Sequence, residues 1–194
     1  MKRYLHLIRH GKTVGNEKNM FYGFTDFPLT DEGIAQVKSL RDENIYPRPG
    51  GAAYYTSGMT RAEQTFSLIY GDTPHIRLAG LKEINFGDFE TKTHYDMKND
   101  PVYISWLRDR SGASSPPGGE SLAEFKTRVV EALQTILNEA AGHSVVVCHG
   151  GVICVIMDSF FNDHSTDIFK WIPLPGRGYT IEFPEAVPAG YTAF

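Results

Sequence analysis

Ser144-Val145-Val146-Val147-Cys148-His149-Gly150-Gly151-Val152-Ile153 is the stretch that decides the fold. Its first five residues are apolar or small and rich in β-branched side chains, as a strand covered on both faces requires. A histidine and two glycines end the strand, and an apolar helix follows to about Phe161. Working outward, Tyr4 to Ile8 reads as a second buried strand, stopping at Arg9-His10-Gly11. Thr30 is placed to cap a helix running to about Arg41. Ala52 to Thr56 is a third strand, followed by a helix from about Thr60 to Tyr70, with a short strand near His75 to Leu78. Ser121 and Glu124 form a capping-box pattern, in which each side chain satisfies the other's backbone amide. Behind it Leu122, Phe125, Val129, Leu133, Ile136 and Ala140 recur at helical spacing, and Gly142 stops the helix. Tyr179 to Phe183 supplies one more strand.

Strands alternating with helices predict an α/β fold, a three-layer sandwich whose mostly parallel central sheet is flanked by helices. Ligands of such sheets bind beyond the carboxyl ends of the strands. Arg9-His10 and His149 both fall at such ends.

The 194 residues fit a single domain, 1–194, carrying an insertion at about 91–117. A chain of this size buries roughly 70% of its unfolded surface, enough for a covered sheet. The net charge of −4 speaks against non-specific binding to nucleic acid or an anionic membrane, so an anion site needs a local cluster of positive groups. Two cysteines, Cys148 and Cys154, both in apolar runs, are too few for a disulfide framework and read as buried thiols. Met1 to Leu5 has no signal-peptide core, and no run reaches transmembrane length. The expected location is the cytoplasm.

Three segments carry chemistry. In Arg9-His10-Gly11-Lys12-Thr13-Val14-Gly15-Asn16, arginine offers a permanently charged fork of donors for phosphate oxygens. Neutral imidazole is a nucleophile, and neighbouring positive charge keeps it neutral. Asn16 adds an uncharged donor. The structural alternative is a surface ion pair beside a loop histidine. In Ser57-Gly58-Met59-Thr60-Arg61-Ala62-Glu63-Gln64-Thr65, Arg61 sits in a first helical turn, where a cation opposes the helix dipole and an anionic ligand would relieve it. An exposed helix arginine is the alternative there. In Cys148-His149-Gly150-Gly151, a histidine faces the free amides of a helix start, or is a core histidine bonded to a carbonyl.

Taken in order, Arg-His-Gly, Ser-x-x-x-Arg-Ala-x-Gln-Thr and His-Gly-Gly resemble the histidine phosphatase superfamily, which includes the cofactor-dependent phosphoglycerate mutases. The resemblance continues in Pro28-Leu29-Thr30 with Gly33 and Gln36, in Leu81 to Glu90, and in Pro117-Gly118-Gly119-Glu120-Ser121 with Phe125 and Arg128. It spans about residues 4–155 and implies a phosphoglycerate mutase-like fold. It further implies that His10 is the phosphorylated nucleophile, surrounded by Arg9, Arg61 and His149, with Asn16 as a further donor. Glu83 is implied as the proton donor to the leaving oxygen and later the base for water. Gly23 and Gly150 join the phosphate- and substrate-binding groups. No cofactor and no metal are implied. Physically, phosphoryl transfer depends on positioning and charge stabilisation, which fixed cations can supply. Residue type alone does not separate Glu83 from Asp88 or Glu90. A carboxyl that gives a proton near neutral pH needs a partly dry pocket.

Two positions depart from the family pattern. Thr91 follows Glu90 where many relatives carry glycine, which leaves the local turn open, and Cys154 stands where many carry arginine or another residue.

The reading is therefore a metal-independent phosphomonoesterase acting through phosphohistidine on a small phosphorylated metabolite: α-ribazole phosphate, a sugar phosphate, or a broad range. The alternatives are phosphoglycerate mutase-type transfer and a non-catalytic phospho-ligand binding protein. A metal site on His6, His10 and His149 is disfavoured by the strand pattern and flanking arginines. A cysteine phosphatase fails because the sixth residue after Cys148 is Cys154 rather than arginine. In the insertion Tyr95, Tyr103, Trp106, Arg108 and Arg110 either clamp the organic part of a substrate or, with Leu107, pack a helix onto the body.

Overall fold

Two valine- and leucine-rich strands lie side by side at the middle of the sheet in the computed structural model, which describes residues 2–139, 142–162 and 168–194. They are β1 (Arg3–Arg9) and β4 (His143–Cys148), parallel and in register from Tyr4 opposite His143 to Arg9 opposite Cys148. Three further strands are β2 (Ala53–Thr56), β3 (Ile76–Arg77) and β5 (Gly178–Phe183), and a fourth is β6 (Gly190–Ala193). The order is β3-β2-β4-β1-β5-β6; β3, β2, β4 and β1 are parallel, while β5 and β6 each run antiparallel to their neighbour. The mostly parallel sheet expected from sequence is present, with β6 as an addition.

Alternate strand residues feed two cores, one on each face. On one face Leu5, Leu7, Val146 and Ile181 pack against α6 (Leu122–Glu139) and α7 (Gly150–Phe161). On the other, Ile8, Val145 and Val147 pack against α2 (Asp31–Asp42) and α3 (Thr60–Tyr70). Helix α6 buries Phe125, Val129, Leu133 and Ile136, and each such side chain contributes about 2 kcal/mol when withdrawn from water. Ala140, the last member of that stripe, lies outside the described residues. Ser121 and Glu124 cap the helix as their spacing predicts, the glutamate accepting from Ser121 N and Oγ at 2.8 Å. Short helices α1 (Val14–Glu17), α4 (His94–Met97) and α5 (Pro101–Arg108) stand among the loops above the carboxyl edge. Among the described residues no helix is long and apolar enough to cross a membrane.

Thr91 takes φ +66°, the left-handed conformation that glycine adopts without cost. The turn is therefore the one a glycine would make, with a β-branched residue bearing the strain. Its amide still bonds to Phe21 O at 2.8 Å, while its side chain is exposed. Thr91→Gly is expected to raise stability by about 1 kcal/mol, the left-handed penalty less the entropy of an extra glycine. Denaturant unfolding checks this; a destabilised variant would refute it.

Candidate active site

Because Arg9 lies opposite Cys148 in register, the two strands release His10 and His149 side by side. Their ring centroids are 5.2 Å apart, and His10 N donates to Cys148 O at 3.0 Å. His10 is 2% exposed. Its Nδ1 lies 2.7 Å from Gly11 O, a carbonyl that can only accept, so the proton sits on Nδ1. The Nε2 lone pair is then free for chemistry. Burial first, then the charges of Arg61 and Arg9, hold this imidazole well below the ordinary histidine value, outweighing the Gly11 bond.

His149 is fully buried and takes the opposite tautomer. Arg61 Nε donates to its Nδ1 at 3.2 Å, so Nε2 carries the proton and donates to Ser57 Oγ at 2.8 Å. Its pKa is lowered by burial and then by Arg61. Arg61 is not the exposed helix arginine that sequence left open. It is wholly buried, donating Nη1 to Thr25 O (3.1 Å) and Nη2 to Gly23 O (2.7 Å), with its carbon over the Tyr22 ring at 5.0 Å. The Asp26 carboxylate, 3.5 Å from Nη1, balances part of its charge. Arg9 donates Nη1 to Pro173 O at 2.7 Å, and its buried Nε has no protein partner among the described residues.

Asn16 Oδ1 accepts from Thr13 N and Oγ1 at 3.0 and 3.1 Å, which leaves the amide donors for the cleft. Gly23 is a scaffold: a Cβ there would sit 1.6 Å from Ile84 O, and both of its backbone polar groups are engaged by protein, the carbonyl by Arg61 and the N–H by Glu90. Gly150 is buried beside Arg9 at the start of α7.

Geometry separates the three carboxylates that residue type could not. Glu90 is spent on structure, accepting from Gly23 N, Phe24 N and Phe86 N through Oε1 and from Thr25 N through Oε2, at 2.6–3.1 Å. Burial pushes its pKa up, but those bonds outweigh it and the net shift is downward. Asp88 is exposed. Glu83 lines the cleft with its carboxylate on Gly151 N at 2.9 Å and Ile84 N at 3.0 Å. A side chain at Gly151 would meet Glu83 Oε1 at 2.3 Å, so the close approach of Glu83 requires that glycine. Arg128 holds the loop that carries Glu83, donating to the carbonyls of Gly80, Lys82 and Glu83 at 2.7–3.0 Å while Glu120 pairs with it.

The cleft has a volume of about 340 Å³ and is lined by Arg9, Asn16, Tyr22, Glu83 and Gly151 among others. The structure brings His10, His149 and Arg61 together, and Arg9 and Glu83 line the cleft. Residues 5–186 match the histidine phosphatase superfamily, branch 1. The chain belongs to that superfamily. A 2,3-bisphosphoglycerate-dependent phosphoglycerate mutase of Beijerinckia indica is 34% identical over 213 positions, covering 98% of this chain and all of the relative. The adenosylcobalamin/alpha-ribazole phosphatase of Salmonella typhimurium is 31% identical, covering 79% of this chain and 77% of its own. A crystal structure from Escherichia coli, provisionally assigned as an alpha-ribazole-5'-P phosphatase, superposes with a TM-score of 0.86 at 25% identity, over 99% and 94% of the two chains. Relatives of this chain thus carry both phosphatase and mutase names.

Other sequence candidates fall elsewhere. His6 leaves the site altogether, bonding to Thr180 Oγ1 and His143 Nδ1. Among the described residues no three histidine, cysteine, aspartate or glutamate side chains group to hold a metal. The buried Cys148 thiol is held protonated by burial, so it is no nucleophile. In the insertion Tyr103 packs in a cluster with Phe89 and Met97, Tyr95 and Arg108 are exposed, and Trp106 is half-buried. Sequence reasoning quoted Ser57 at the head of its motif but gave it no role; the structure makes it the buried hydroxyl just past β2 that meets His149. Its place past a strand end, the feature that exposed the two histidines, was the signal for such a role.

Proposed function

We propose that this chain is a metal-independent phosphomonoesterase that transfers the phosphoryl group of a small phosphorylated metabolite to His10 Nε2 and then to water. The observation that carries the reading is the His10 environment. One nitrogen is locked as donor to Gly11 O, the other holds its lone pair, and burial together with two arginines keeps the ring neutral. As the Nε2–P bond forms, the ester P–O bond breaks, and the Glu83 carboxyl gives its proton to the departing oxygen. The Glu83 carboxylate then takes a proton from water as the new O–P bond forms and the P–N bond breaks, releasing inorganic phosphate and neutral imidazole. Arg9, Arg61 and the Asn16 amide stabilise the equatorial oxygens, and His149 joins them by turning its Nε2 proton from Ser57 Oγ to the phosphoryl group, work that metal ions do elsewhere. Gly150 supports the same region by starting α7 beside Arg9.

Hydrolysis is favoured over mutase transfer because, beyond the groups assigned to the transferring phosphoryl, no lysine or arginine among the described residues lines the cleft. A substrate with a second phosphate or a carboxylate would find no partner there. The mutase names among the relatives favour the second reading, phosphoryl transfer between hydroxyls of phosphoglycerate. Phosphate release from a panel of monoesters in the presence of EDTA tests the proposal. Release should persist. Inhibition by EDTA that a divalent cation reverses would overturn metal independence. Conversion of 3-phosphoglycerate to 2-phosphoglycerate without release would establish the mutase.

A further inference from the structure

The cleft does not end at Glu83. Past Gly151 it opens into a second cavity of about 300 Å³, walled by Ile84, Phe86, Trp106, Leu107, Leu122 and Phe169. Phe21, Ile84, Phe86, Gly151 and Phe169 line both spaces, so they are continuous. The junction is chemically defined. Gly151 N–H holds the Glu83 carboxylate at 2.9 Å, so the chamber begins beside the group that protonates the leaving oxygen. Whatever is attached to that oxygen extends toward the chamber.

Its lining settles what can enter. Apolar and aromatic side chains dominate, and among the described residues no lysine or arginine lines it. Among the described residues its one charged group is Asp109, whose carboxylate accepts from Ser111 and Ser114 and is held ionised by those bonds. A tail bearing phosphate or carboxylate would therefore meet a negative charge and no positive one. The next depression outward, past Leu107 and Phe169, sets Arg110 and Lys126 beside Asp109 and Asp158, so its charges are mixed. An apolar cavity of about 150 Å³ is enough to bind benzene, so the chamber has room for about two fused rings.

We infer that this chamber is the leaving-group site, and that the substrate is a phosphate monoester of an alcohol carrying an uncharged, flat apolar or aromatic body. The inference rests on the phosphatase reading for the direction of the leaving group, and on the lining alone for its chemistry. Leu107, more than half exposed on α5, and Trp106 behind it are the specificity-determining residues.

The test compares 2-(1-naphthyl)ethyl phosphate with ethyl phosphate, two primary alkyl esters that make the same demand on the acid. The naphthyl ester should have a kcat/KM about 100-fold higher, the scale expected from burying a bicyclic ring less the cost of ordering it. It should also exceed 3-phosphoglycerate. Leu107→Glu should reduce the naphthyl-to-ethyl ratio by about tenfold or more, and Leu107→Phe should retain it. The corresponding phosphonates, which cannot be hydrolysed, are titrated calorimetrically in parallel. Equal turnover of the two esters, or a preference for 3-phosphoglycerate, would overturn the leaving-group site while leaving the phosphatase intact. If no ester is hydrolysed yet the naphthyl phosphonate binds more tightly, and Leu107→Glu abolishes the difference, the chamber stands and the phosphatase reading falls. Equal binding of the two phosphonates would also overturn the chamber.

Discussion

Replacing His10 with alanine is expected to lower phosphate release on the order of 10⁴-fold or more, because a lost nucleophile disables the groups that act with it. On the proposed mechanism Arg9, Arg61 and His149 surround the transferring group, and without Nε2 they would stabilise a reaction that has no attacking atom. Two readouts distinguish loss of a nucleophile from loss of structure. Rapid quenching under alkaline conditions should trap phosphate on the His10 peptide of the wild type and on no peptide of the variant. The pH profile of kcat/KM carries the second. Burial and the two arginines depress the folded pKa of His10 below 6.5, so the nucleophile stays neutral as pH falls through the ordinary histidine range. Any acid limb caused by His10 therefore lies below pH 6.5. A variant that retains more than a tenth of the activity would refute the assignment.

Glu83→Gln is the other large effect, and its size depends on the ester. An alkoxide leaves poorly without a proton, so alkyl phosphates should lose roughly 100-fold or more, within the usual range for general acid catalysis. A 4-nitrophenolate leaves readily, so its ester should lose less than about tenfold in the first step. Glutamine keeps the acceptor for Gly151 N–H through its carbonyl oxygen but loses the one for Ile84 N–H, so a loss common to both esters reports that bond and the difference between them reports the missing proton. Equal losses on both esters would assign Glu83 to positioning. Arg128→Lys provides the complementary case. Lysine cannot reach the three carbonyls that hold the acid's loop, so the acid is displaced while its chemistry is unchanged.

Much of the fold was legible because local and global preferences agree. The α3 boundaries follow from its apolar period, and α6 announces itself with Ser121 and Glu124. The β1 and β4 strands are continuous apolar runs, and placing His10 and His149 together followed from their positions at strand ends. What sequence could not show depends on tertiary partners. Glu83 and Glu90 differ in which amides reach them, and the deciding ones, Gly151 for Glu83 and residues 23–25 for Glu90, lie in segments distant along the chain. Strand β6 is four residues long and mostly exposed, so it shows no apolar run; it is ordered by pairing with β5. Tyr103 and Trp106 have similar composition and neighbouring positions, yet one is sealed under Phe89 and the other faces the chamber.

Glu90 has a bearing on how such a protein can diversify. Its single carboxylate fastens residues 23–25 to the acid-bearing segment, and the Glu120–Arg128 pair fastens the far side of the same segment. Residues 91–117 are strung between these two fastenings. A lineage can lengthen, shorten or rewrite that stretch without retuning the reacting groups, because the knots on either side absorb the change. New substrates then become accessible through a loop-sized edit, whereas a change at Glu90 would alter the anchorage of Arg61 and the seat of Glu83 together.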